Sequence, residues 1–186
     1  MAKVYEYIAD GTEEIEALTM TDVLRRAGVE VVTVSINKTA EVTMSHGVRI
    51  ICDTTVAEAD VNDADMLLLP GGMPGATNLN DCEAVRTAVL RQHEQGKKVG
   101  AICAAPLILG GLGILQGKRA TCYPGFESQM TGATYTKELF TVDGNVITGE
   151  GPAATLPFSY AILEMLGKGA EAAQLREGMM FNHLMS

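Results

Sequence analysis

Within Val4 to Ile36 the hydrophobic period changes twice, and this restricts the fold more than any other feature of the chain. Val4 to Ala9 is a short apolar run of strand length. Asp10-Gly11-Thr12 is a turn that offers a helix N-cap at Asp10 or Thr12. A helical pattern follows at once. Ile15, Leu18, Val23 and Leu24 make its apolar face, Glu13, Glu14 and Glu16 fill the first turn, Arg25-Arg26 fill the last, and Gly28 closes it. Val29 to Ile36 is a second strand, rich in valine. A strand, a helix and a strand in this order require a right-handed crossover, so the two strands lie parallel in one sheet.

The alternation continues. Val42 to Ser45 and Val48 to Ile51 flank His46-Gly47 and read as a small antiparallel hairpin beside the sheet. Met66 to Leu69 is a third buried strand, ended by Pro70-Gly71-Gly72-Met73-Pro74-Gly75, a loop able to bring backbone amides close to whatever lies above the sheet edge. Asp81 is expected to cap a helix running to about Gln95, closed by Gly96. Val99 to Ile102 is a fourth strand, and Ala104 to Leu109 reads as the first turns of a helix, with Pro106 where a proline is tolerated. Ala120 to Tyr123 is read as a fifth strand, with a short helix near Phe126 to Met130. Leu139 to Val142 and Val146 to Thr148 form a hairpin across Asp143-Gly144-Asn145. Ala153 to Leu166 and Ala170 to Glu177 are expected helices, and Gly178 to Ser186 an ordered cap. The turns at Asp10-Gly11, Gly71-Gly72, Cys103, Tyr123-Pro124 and Gly151-Pro152 fall at the same C-terminal edge of one sheet, the edge that holds ligands in open α/β folds.

Composition narrows the function. At 186 residues, 47% hydrophobic and 20% charged, residues 1–186 suit one domain with an ample core. A net charge of −9 opposes nucleic-acid binding, which needs clustered Lys and Arg against phosphates. The first apolar run is broken by Glu6, unlike a signal peptide, and no run approaches a membrane span. The four cysteines, at 52, 82, 103 and 122, form no C-x-x-C pair, so reduced thiols in a cytoplasmic protein are expected rather than disulfides or a zinc site. No phosphate loop or dinucleotide fingerprint occurs, and no cofactor or metal is implied.

Cys103 is the candidate for chemistry. A strand turning sharply into a helix presents its corner side chain above the sheet edge, and the small neighbours Gly100, Ala101, Ala104 and Ala105 permit such an elbow. A thiol there meets helix amides and is expected to have a lowered pKa. The alternative is an inert buried cysteine. None of the three histidines, His46, His93 and His183, follows Cys103 at a spacing that suits a base. The acids of the first helix are the other candidates. Glu16, between Ile15 and Ala17-Leu18, is expected to face inward, where burial keeps a carboxyl protonated and able to hydrogen-bond a thiolate.

Five stretches, A-D-G-T-E-E-I-E-A (Ala9 to Ala17), D-V-L-R-R-A-G (Asp22 to Gly28), L-P-G-G-M-P-G-A (Leu69 to Ala76), A-I-C-A-A-P (Ala101 to Pro106) and G-E-G-P-A (Gly149 to Ala153), resemble the ThiJ/PfpI superfamily, and within it the parkinsonism-associated deglycase and YajL-like subgroup. The resemblance implies a flavodoxin-like three-layer sandwich, related to class I glutamine amidotransferases, with a mostly parallel sheet and a homodimeric assembly. It implies Cys103 as nucleophile and oxidation-sensitive thiol, Glu16 as the acid bonded to it, and Gly72 and Ala104 as amide donors to an oxyanion or to sulfinate oxygens. Glu14, Gly71, Tyr123 and Pro152 would surround these. Glu13, Glu14, Ile15 and Arg26 would lie near a dimer interface, and His46 falls where relatives often carry an arginine that approaches the partner's site. The activities implied are detoxification of methylglyoxal and glyoxal, as deglycase or glutathione-independent glyoxalase, acting on small aldehydes or glycated side chains. The alternative is a non-catalytic redox-regulated chaperone or sensor. Animal members commonly have a histidine where this chain has Tyr123, a hydrogen-bond donor but a poor base near neutrality.

Overall fold

The computed structural model describes residues 1–184. In chain order the elements are β1 (Lys3–Ile8), α1 (Glu14–Arg26), β2 (Glu30–Ser35), β3 (Glu41–Thr43), β4 (Arg49–Ile51), β5 (Thr54–Thr55), β6 (Met66–Leu69), α2 (Gly75–Asp81), α3 (Glu83–Glu94) and β7 (Lys98–Ile102). They continue as α4 (Pro106–Gly111), β8 (Arg119–Ala120), β9 (Thr134–Tyr135), β10 (Phe140–Asp143), β11 (Val146–Gly149), α5 (Thr155–Met165) and α6 (Gly169–Gly178). Seven strands form one sheet in the order β10-β11-β7-β6-β1-β2-β5, and only β10 runs antiparallel to its neighbour. This is the flavodoxin-like arrangement. The central strands β6 and β7 are apolar throughout their buried lengths, as strands covered on both faces must be. Alternation along β1 separates the two faces. Glu6 reaches Thr21 of α1, while Tyr7 points to the side of α3. The hairpin β3-β4 stands apart as its own two-stranded sheet.

Several expectations are corrected. The N-cap of α1 is Glu13, whose carboxylate accepts from the Ile15 amide at 3.4 Å. Asp10 instead accepts from the Thr43 amide at 2.8 Å, tying the hairpin to the sheet edge, and Thr12 accepts from the Ala9 amide. The buried residues of α1 are Glu14, Glu16, Ala17, Met20, Val23 and Leu24, whereas Ile15 and Leu18 are 56% and 41% exposed, because a 3.6-residue period places them on the outward side. Asp81 caps nothing. It is the last residue of α2, a helix without an apolar period, and α3 starts from Cys82 with no side-chain cap. Ala120 to Tyr123 adds no strand to the main sheet. Only Arg119–Ala120 is a strand, paired with β9 in a separate two-stranded sheet, and the Tyr123 amide donates to the Cys103 carbonyl at 2.9 Å. Pro157 sits in the first turn of α5, which starts at Thr155.

Candidate functional site

Cys103 directly follows β7, its amide donating to the Gly149 carbonyl at 2.9 Å. Its φ of +63° lies in the left-handed region, strained for a side chain and typical of residues held for function. The residue is 8% exposed, and the Gly72 and Ala104 amides both donate to its sulfur. Glu16 is fully buried on α1. One of its carboxyl oxygens accepts from the Gly71 amide at 2.7 Å, the other has no hydrogen-bonding partner among the described residues, and the carboxyl is hydrogen-bonded with the Cys103 thiol. Gly71 makes this approach feasible. A Cβ there would stand 2.6 Å from the Cys103 Cβ and 2.8 Å from the Glu16 Oε2. At Gly72, φ is +84° and a Cβ would sit on the Glu13 amide, so the loop closes over the sulfur only with glycine.

Electrostatics sets this pair apart. Burial pushes the Glu16 carboxyl up to about 7, against the pull of the Gly71 amide and the Cys103 thiol. Burial, then the Glu16 charge, push Cys103 up to about 12, with the Gly72 and Ala104 amides acting the other way. The expected lowering by a helix N-terminus is therefore reversed in direction. The helix α4 starts only at Pro106 and has six residues, so the nearest amides act singly and desolvation dominates. Two buried acids in contact do not both ionise near neutrality, so the pair carries at most one negative charge there.

Glu14 lies on α1 outside this pair. Burial alone would raise its pKa, but hydrogen bonds from Ser45 and His46 win and drive it down to about 2. Its carboxylate accepts from the Ser45 hydroxyl at 2.7 Å and the His46 amide at 2.6 Å, and the His46 ring lies 3.0 Å away. The Glu14 hydrogen bond, then the charges of Glu13 and Glu14, raise the His46 pKa. The ring thus faces acids of its own chain. Glu13, Glu14 and His46 each offer a ligand atom within 4.8 Å of the others, a grouping able to hold a metal ion that sequence spacing did not reveal. Ser45 links it and carried no signal in the sequence. Arg26 pairs with Asp22 at 2.7 Å. Tyr123, 47% exposed, lines a cavity of about 220 Å³ with Gly151 and Pro152, next to the Cys103 turn. The structure thus brings Cys103, Glu16, Gly71, Gly72 and Ala104 together, reaches Tyr123 through its backbone, and leaves Glu14 and His46 as a neighbouring pair.

A parallel sheet with a left-handed cysteine at a strand end, hydrogen-bonded to a buried carboxyl, defines a flavodoxin-like protein built around a cysteine elbow. The sequence pattern of the DJ-1/PfpI family matches residues 2–165, and the chain belongs to that family. It is 38% identical over 169 residues to Protein DJ-1 homolog B of Arabidopsis thaliana, covering 89% of this chain and 39% of that protein, so it spans about two fifths of that relative's length. It is 32% identical over 159 residues to the glutathione-independent glyoxalase DJR-1.2 of Caenorhabditis elegans, covering 84% of each. Oxidized DJ-1 of Toxoplasma gondii superposes with a TM-score of 0.93 at 34% identity, covering 97% of this chain and 98% of that one. Among the described residues no helix is long and apolar enough to cross a membrane.

Proposed function

We propose that the protein converts small reactive carbonyls such as methylglyoxal through a covalent adduct on Cys103. The observation that carries this reading is the buried Glu16 carboxyl, raised to about 7, hydrogen-bonded to a thiol that also receives two backbone amides. A base with that pKa is half ionised at the pH where it must work. The Glu16 carboxylate takes the thiol proton as sulfur attacks the aldehyde carbon. The carbonyl electron pair moves to oxygen, where the Gly72 and Ala104 amides stabilise it, and the proton returns there to give a hemithioacetal. Glu16 then removes the hydrogen of that carbon as a proton, leaving an enediolate with its charge on the former ketone oxygen; the hydroxyl proton of the first carbon passes to that oxygen, and Glu16 returns its own proton to the second carbon as the carbonyl re-forms at the first. The product is a lactoyl thioester, which water hydrolyses to lactate and free thiol. Release of early glyoxal adducts from amino groups needs the same sulfur attack with an amine leaving. Tyr123 supplies a hydroxyl donor but no base, so Glu16 carries both transfers. The Caenorhabditis elegans relative, named a glutathione-independent glyoxalase, supports this reading.

The test is lactate release from methylglyoxal by the purified protein without added thiol. Catalytic release is the expected result. A second reading is favoured by the two amides and the acid around the sulfur, which equally suit sulfinate oxygens, and by the oxidized Toxoplasma gondii relative. In it, two equivalents of hydrogen peroxide oxidise Cys103 to sulfinate, releasing two waters. No lactate, with two oxygens gained on Cys103 alone, would select that sensor role.

A homodimer fits the exposed apolar surface of Ile15, Leu18, Val48 and Ile51 on α1 and the hairpin. A mass of two chains in light scattering is expected, lowered towards one chain by Ile51→Glu. The four free thiols suit a cytoplasmic setting.

A further inference from the structure

On the face of the sheet opposite α1, a second cavity of about 470 Å³ opens between α3 and the segment 56–61, sharing no residue with the Cys103 site. Its volume lies within the range of small-molecule sites, roughly 300–1,000 Å³. Tyr7 forms the floor. This residue is 2% exposed, and its hydroxyl has no hydrogen-bond partner among the described residues. The hydroxyl opens into the cavity, where a ligand acceptor can take the place of water as its partner. Arg91 stands close enough to act on that hydroxyl with its charge, and it makes no ion pair or hydrogen bond among the described residues. An exposed guanidinium without a protein partner and a hydroxyl lining the same cavity offer N–H and O–H donors that suit a carboxylate.

The helix supplies the rest of the shape. Glu83, Thr87 and Arg91 fall at four-residue spacing along one stripe of α3, and the short side chains of Ala84 and Ala88 beside them hollow out the wall. Val56 and Val61 close the other side with apolar surface. Glu83 also lacks a partner among the described residues and sits eight positions from Arg91, about 12 Å along the axis. Its charge disfavours a second anionic group at that end.

We propose that this cavity binds a small organic monocarboxylate, its carboxylate held by Arg91 and the Tyr7 hydroxyl and its apolar body lying over Ala84, Ala88 and Val56. The site is independent of the chemistry assigned to Cys103.

The test uses 3-phenylpropanoate and its neutral counterpart 3-phenylpropanamide, titrated into the isotope-labelled protein and followed by amide chemical shifts. The carboxylate should give saturable shifts confined to the segment 56–61 and α3, and the amide should bind at least about tenfold more weakly, about 1.4 kcal/mol. Arg91→Gln should abolish the difference between the two probes. Tyr7→Phe should weaken carboxylate binding several-fold while leaving the urea midpoint unchanged, since the hydroxyl has no partner to lose. Absence of saturable shifts at these residues, equal binding of the two probes by the native protein, or no effect of Arg91→Gln on their difference would overturn the proposal. A Tyr7→Phe protein that is destabilised or binds as tightly would do the same.

Discussion

Replacing Cys103 with alanine is expected to reduce lactate formation from methylglyoxal to the level of buffer, and Glu16→Gln to lower it on the order of 10²–10⁴-fold. The two losses have different causes. Alanine removes the sulfur that the Gly72 and Ala104 amides surround, and those amides then have no oxyanion to stabilise. Glutamine keeps the shape of Glu16 and can still accept from the Gly71 amide, 2.7 Å from the native carboxyl oxygen, but it cannot take a proton. The pH profile separates a base from a structural prop. The raised Glu16 pKa means that the carboxylate is present above about 7 and is lost as pH falls through that value. Turnover by the native protein should therefore fall on acidification across this range, and the residual rate of Glu16→Gln should not follow that profile. Undiminished turnover in Cys103→Ala would exclude the covalent adduct. A Glu16→Gln enzyme with the native profile would assign the proton transfer to another group.

The sequence shows which residues stand at the sheet edge but not how far the protein buries them. The β1-α1-β2 unit, the hairpin and β6 are legible because each is a run with one clear period, bounded by Gly11, Gly28, Gly47 or Gly71. The helix α2 is not, because its sequence G-A-T-N-L-N-D has no apolar stripe and its start at Pro74 is set by contacts of Gly75 with Gly11 and Thr12. Ile15 and Leu18 mislead for the opposite reason. They are apolar, yet they face outward, and local pattern does not distinguish a buried stripe from a surface awaiting a partner. Cys103 and Glu16 are each legible, but the direction in which the Cys103 pKa moves is not. It depends on how tightly Gly71 and Gly72 close over the sulfur, which is a tertiary distance. The pattern puts Tyr123 in a strand because Thr-Cys-Tyr has β propensity, whereas its amide is committed to the Cys103 carbonyl.

Glu6→Gln is expected to make the protein more stable than the native form in alkaline solution while leaving the two similar near pH 5. In the sequence Glu6 merely interrupts an apolar run; in the structure it is a fully buried carboxyl on β1, facing α1. The Thr21 hydroxyl bonds one of its oxygens at 2.6 Å, and the other has no partner among the described residues. Burial pushes its pKa from 4.5 up to about 8, outweighing the Thr21 hydrogen bond and the Arg25 charge. The folded state therefore keeps a proton that the unfolded chain releases from about pH 4.5 upward. The stability this provides is complete below that value and is lost as pH rises towards 8, by several kcal/mol at about 1.4 kcal/mol for each pH unit between the two values. Glu16 acts in the same direction up to about 7, whereas Glu14, lowered to about 2, contributes stability that is complete above about 4.5 and is lost as pH falls from there towards 2. Comparing urea midpoints of Glu6→Gln and the native protein at several pH values cancels both of those contributions and isolates residue 6. A difference that grows from about pH 5 to pH 9 is the expected result. Parallel curves would mean that the carboxylate ionises without penalty, so that water or a cation reaches the unpartnered oxygen between β1 and α1.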